Sequence, residues 1–166
     1  MLLTVDCRTP EFLLHERRLQ AVARSFGRAL KVPDAAAVGL VLCSVRTLAR
    51  LGKKHFGQAR TTDVIAFPTG FPEIGGLLGE VWIAPDTVAR NGLRYGKGLN
   101  GEFLFVLAHG LLHLLGADDA TPRQREAMFA RQEQLLSTCR GGPADPLPRV
   151  LERTGSRGPR KQGPPW

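Results

Sequence analysis

Apolar positions change their spacing repeatedly along this chain, and each change marks an element. Leu2 to Val5 is a short apolar run suited to a first or edge strand, with a turn following near Pro10. Between Glu11 and Leu30, Leu14, Val22, Phe26 and Leu30 recur at helical spacing, and Arg17, Arg18, Arg24 and Arg28 take the other side. That pattern predicts an amphipathic surface helix. Ala37 to Val45 is apolar with β-branched members, as in a buried strand. Ser44 suits the N-cap of a short basic helix over Arg46 to His55 that ends near Gly57. Asp63 to Phe67 predicts a further strand, stopped by Pro68. A loop rich in Gly and Pro follows, with Gly70, Pro72, Gly75 and Gly76, and Gly79 to Ala84 alternates as a strand. Pro85 and Asp86 open the next helix.

From Glu102 to Leu115 the alternation disappears and nearly every position is apolar, which predicts a helix buried on most sides. Thr121 caps a last helix with Pro122 at its first position, and Met128, Leu135 and Leu136 form its buried stripe. Beyond Cys139 the chain fills with Pro, Gly and Arg, a composition that buries too little apolar surface to offset its ordering entropy. Two parts are therefore expected: a domain over 1–139 and a disordered basic tail over 140–166. Strands interspersed with helices, one of them enclosed, give an α+β domain: a small mixed sheet of about four strands packed with helices around that central helix.

Composition narrows the classes. The 166 residues suit one domain, and no apolar run approaches the roughly 18–20 residues that span a bilayer. The start of the chain has Asp6 and Glu11 early and no basic leader, so a cytoplasmic location is expected. Cys7, Cys43 and Cys139 are far apart and odd in number, which argues against a disulfide framework or a zinc ribbon. The formal charge of +8, half of it in the tail, favours an anionic partner such as nucleic acid.

The candidate chemistry lies in the enclosed helix. HGLLHLLGADD, from His109 to Asp119, contains two of the four histidines, spaced so that both imidazoles reach one point on a helix face. Gly116 stands where the helix should stop, and the returning chain offers Asp118 or Asp119 as a third ligand. Three protein ligands leave one tetrahedral position for water, as in catalytic zinc sites. The alternative is a pair of core histidines bonded to backbone carbonyls, at the cost of two separate desolvations. Gly110 occupies the position at which HExxH proteases carry their glutamate base, so the helix offers ligands without a local base.

The motif resembles the signature HGxLHLxGxDH of the YbeY family of metal-dependent endoribonucleases and ribosomal-RNA maturation factors. It agrees from His109 through Asp118 and differs at Asp119, which replaces a third histidine. TTDVIAFP (Thr61–Pro68) resembles the family's TDVLSFP segment, with Ala66 for serine, and LGEVWIAPD (Leu78–Asp86) resembles the strand and helix start that follow it. The similarity covers roughly residues 1–138. It implies His109, His113 and Asp119 as ligands of one divalent ion, zinc by preference. Asp118 then either orients a ligand histidine or caps the loop. An anionic third ligand lowers the net charge of a divalent site from +2 to +1, so its bound water should be less acidic.

Aligned without a gap, a family arginine falls on Phe56 and a family asparagine on Gly52. Lys53, Lys54 and Arg60 are the neighbouring cations that can take the arginine's place at a phosphate, or they are solvated surface charges. The resemblance implies single-strand-specific cleavage in ribosomal-RNA processing, with ribosomal RNA and the small ribosomal subunit as partners. An RNA- or ribosome-binding assembly factor with weakened catalysis and a zinc metallopeptidase are the competing readings. No residue is singled out as a catalytic acid or base.

Overall fold

The computed structural model describes residues 1–57, 62–69, 76–142 and 144–155. Four strands form one sheet: β1 (Leu2–Cys7), β3 (Ala37–Leu42), β4 (Val64–Pro68) and β5 (Leu77–Ile83). Their order is β1-β3-β5-β4, with β1, β3 and β5 parallel and β4 antiparallel to β5. The expected mixed four-stranded α+β sheet is what forms, and it explains two sequence patterns. Central β3 reads as an uninterrupted apolar run because Val38, Leu40, Val41 and Leu42 are all buried. Pro68 is tolerated within β4 because that strand lies at an edge, where a missing N–H costs no ladder bond.

Alternation along the strands divides the apolar residues between the two faces. Val81 and Ile83 of β5 point into the main core with the residues of α1 (Glu16–Ala29) and α4 (Gly98–Leu114). Trp82 points the other way, toward a smaller cluster in which Leu48 of α2 (Val45–Phe56) covers Ile65, Cys43 and Ala84. α3 (Pro85–Arg94) and α5 (Pro122–Ser137) flank α4, which also packs on β4 and β5. Ser44 caps α2 through the Thr47 N–H at 3.1 Å, and Thr121 with Gln124 forms a complete capping box on α5. Among the described residues no helix is long and apolar enough to cross a membrane.

Two expectations need correction. The helix expected from Glu11 starts only at Glu16, because Phe12–Leu14 forms strand β2. Its partner is β6 (Leu151–Arg153), which lies inside the stretch expected to be a disordered tail from residue 140. The composition of that stretch hides a short apolar pair, Val150 and Leu151, both fully buried. Asn100 of α4 anchors the pair: its Oδ1 accepts from the Val150 and Leu151 N–H groups at 2.6 and 2.8 Å, and its Nδ2 donates to the Leu151 carbonyl at 3.0 Å. β6 is therefore part of the described fold, and residues 156–166 lie outside the described residues.

Candidate metal centre

α4 is enclosed except along one line. Phe105, His109 and His113, each four residues from the next, are its half-buried positions from Gly101 to Leu114, and every other residue of that stretch is buried. The helix then stops in a Schellman motif: Gly116 adopts φ 84°, its N–H bonds to the His113 carbonyl at 3.0 Å, and the Ala117 N–H bonds to the Leu112 carbonyl at 2.9 Å. The reversal brings Asp119 back over the two histidines. The three side chains offer ligand atoms that all lie within 4.8 Å of one another. His113 Nε2 is 2.9 Å from His109 Nε2, and the Asp119 carboxylate oxygens are 3.7 and 3.8 Å from the same two nitrogens.

The ring partners decide what this cluster suits. His113 Nδ1–H donates to the Ala117 carbonyl at 3.0 Å, so the turn that ends the helix also orients the ring. His109 Nδ1 faces Gln132 Oε1 at 3.4 Å, and Gln132 is held in that sense because its Nε2 donates to the Phe105 carbonyl at 3.0 Å. With both protons on Nδ1, both Nε2 atoms present lone pairs to each other. Such a contact is repulsive unless a cation lies between them. Ligand atoms about 2.0–2.1 Å from a tetrahedral ion stand about 3.3 Å apart, close to the separations here. Burial pushes the His109 pKa down, the nearby His113 adds to this, and the Gln132 contact and Asp119 oppose it. The ring is thereby favoured in its neutral, metal-binding form. The donor set fits a divalent ion.

Asp118 stands in the loop immediately before Asp119. It is exposed, and its Oδ1 accepts from the Asp119 N–H at 2.8 Å, which steadies the third member of the cluster. The orienting of the histidines falls to Gln132 and the Ala117 carbonyl, neither of which the motif suggests. Arg125 ties the same loop to α5 through the Asp119 and Ala120 carbonyls at 3.2 and 3.0 Å. Gly110 has a steric cause as well: a Cβ there would stand 2.6 Å from Val81 Cγ1. Two clefts open onto the cluster. One, about 280 Å³, is lined by Glu102, Phe105, His109, Asp119, Phe129 and Gln132. Glu102 is buried, its Oε2 has no hydrogen-bond partner among the described residues, and burial raises its pKa against the opposing pull of Lys97.

The other cleft, about 680 Å³, is lined by Gly52, Phe56, Asp63, Pro68, His109 and His113, so Phe56 and the two histidines open onto one cleft. Lys53 and Lys54 are exposed on the last turn of α2, and Arg60 lies outside the described residues. Residues 8–140 match the family model described as Endoribonuclease YbeY. The chain belongs to the YbeY family. Relatives bearing the name Endoribonuclease YbeY include proteins of Nocardioides sp., 33% identical over 76% of this chain and 91% of that one, and of Thermobifida fusca, 34% identical over 75% and 86%. A solution structure of a Thermotoga maritima protein superposes with a TM-score of 0.56 over 82% of this chain and 87% of its own, at 23% identity, which speaks for the fold. The YbeY match reaches residue 140, so β6 lies beyond it although β6 is folded onto the same domain.

Proposed function

We propose that this YbeY-family chain is a metal-dependent, single-strand-specific endoribonuclease of ribosomal-RNA processing, working in the cytoplasm on RNA of the small ribosomal subunit, with zinc held by His109, His113 and Asp119. The carrying observation is the facing pair of Nε2 lone pairs at 2.9 Å beneath the Asp119 carboxylate. A divalent ion there supplies a bound water of lowered pKa and a positive charge for a phosphate oxygen. The chain's own residues do the rest. Gln132 and the Ala117 carbonyl hold the rings, Asp118 and Arg125 hold the loop, and Lys53, Lys54 and Arg60 attract the RNA backbone. Asp119 in place of a neutral ligand lowers the charge of the loaded site and moderates its pull on phosphate. The peptidase reading is disfavoured because a side chain at Gly110, where such enzymes carry their base, collides with Val81.

Cleavage of a single-stranded ribosomal-RNA fragment by the wild type, His113→Ala and Asp119→His under defined zinc tests this reading. His113→Ala should lose activity together with bound zinc, and Asp119→His should keep or raise it. Equal cleavage by all three proteins would end the metal-dependent reading. RNA binding by the wild type without cleavage would select the assembly-factor reading.

A further inference from the structure

The least expected side chain near the cluster is an aromatic one. Phe56 ends α2 with 62% of its surface exposed, and its ring lies nearly parallel to that of Phe67 on β4, at 12° with centroids 6.4 Å apart. His55 meets the same Phe67 ring edge to face, at 61° with centroids 4.9 Å apart. Phe67 thus backs Phe56 and His55, leaving Phe56 presented to solvent at the cleft that His109 and His113 also line. The surroundings select the chemistry of an occupant. α2 carries Arg46, Arg50, Lys53 and Lys54, all exposed, and no acidic residue. An apolar ring at the end of a purely cationic helix, sharing a cleft with a metal-type cluster, complements a polyanion whose subunits carry flat π-faces.

We infer that Phe56, backed by Phe67, is a stacking platform for one unpaired base of the RNA substrate, set so that the base rests on α2 while the adjoining phosphate reaches the histidines. This rests on the ribonuclease reading above. Its physics differs from that of a cation at the same position. A charge binds phosphate in any strand and weakens with salt, whereas a ring binds only bases that are free to leave their own stack and is indifferent to salt. Phe56 therefore makes the site select single strands.

The test follows a single-stranded oligoribonucleotide carrying 2-aminopurine near the expected cleavage point, mixed with full-length, zinc-loaded protein and read by stopped-flow fluorescence before turnover. Stacking on the wild type should quench the probe. Phe56→Ala should abolish the quench and weaken single-strand affinity by roughly 10- to 100-fold, the loss of one base–aromatic stack. The salt slope, the zinc content and the weak affinity for duplex RNA should stay as in the wild type, and Phe56→Trp should restore quench and affinity. Unchanged affinity in Phe56→Ala, failure of Phe56→Trp to restore it, or equal losses for duplex and single strand would each overturn the inference. A patch used for self-association would appear as altered sedimentation of Phe56→Ala with RNA affinity intact, which also overturns it. A wild type that neither binds nor cleaves RNA removes the ribonuclease reading itself, and the platform with it.

Discussion

Gln132 of α5 reaches across to α4 and sets the tautomer of His109: one end of its amide is held by the Phe105 carbonyl at 3.0 Å, and the other faces His109 Nδ1 at 3.4 Å. The residue is buried on the same face as Met128, Leu135 and Leu136, where a polar amide is stable only if both its ends are satisfied.

Replacing Gln132 should therefore weaken the metal site without touching a ligand. Partners that orient a ligand histidine are worth about 10- to 100-fold in metal affinity. Gln132→Leu, which keeps most of the volume, is expected to raise the zinc Kd by that factor in a chelator competition, while the far-UV circular dichroism stays native. A zinc Kd equal to that of the wild type would remove Gln132 from the account.

The site is also expected to fail in acid. Burial lowers the His109 pKa, so the unfolded chain takes up a proton at a higher pH than the folded one does. The stability tied to the neutral ring is complete above the ordinary histidine value of about 6.5 and is lost as the pH falls from there toward the folded pKa. Urea unfolding of the zinc-free protein between pH 7.5 and 5 should show this decline, and His109→Asn should flatten it. Parallel profiles for the two proteins would place the pH dependence elsewhere. Zinc occupancy should fall in the same direction, because protons compete for the same Nε2 lone pairs.

Gly110 is expected to tolerate no side chain. A Cβ would meet Val81 Cγ1 at 2.6 Å and Cγ2 at 3.1 Å, with Val64 Cγ2 at 3.3 Å, and α4 has little room to retreat because it is enclosed by α3, α5 and the sheet. Overpacking of this kind typically costs about 1–3 kcal/mol. Gly110→Ala should lose stability in that range by denaturant unfolding and should lower metal affinity, since His109 and His113 ride on the displaced helix. The helix propensity of alanine pulls the other way by about 1 kcal/mol, so a neutral or stabilised variant would mean that the Val81 contact yields easily.

Truncation distinguishes a tail from a strand. Ending the chain at residue 139 strips Val150 and Leu151 from the core and leaves Asn100 without its backbone partners, whereas ending it at 155 keeps all of these. At about 1.5–3 kcal/mol for each buried aliphatic side chain, the shorter chain should lose at least about 3 kcal/mol. The longer one should unfold as the full-length protein does, apart from RNA affinity at low salt, to which the arginines beyond residue 155 contribute through screened charge. Equal stability of the two truncations would show that β6 contributes nothing to the fold.

Much of this protein is written in local pattern. Element type follows from period, so α4 is recognisable from its unbroken apolar run and β3 from its β-branched one; both are properties of neighbouring residues. The same holds for His109 and His113, whose spacing of four places them on one helix face whatever surrounds them, and for Gly116 and the Thr121 capping box, which end and begin helices by local hydrogen bonding. What depends on distant parts of the chain is absent from that pattern. Gln132 stands 23 residues from His109, Asn100 about 50 from the strand it anchors, and Phe67 11 from the ring it backs. Each pairing forms because packing of the main core or of the smaller cluster brings two elements together, and a composition rich in Pro, Gly and Arg concealed the two buried residues that return β6 to the domain. Local pattern is enough for most of the helices, for the strands of the main sheet and for the helix that carries His109 and His113, because neighbouring residues set their period; packing between distant elements decides how the two imidazole rings are oriented, that β2 and β6 pair, and that Phe56 lines the same cleft as the histidines.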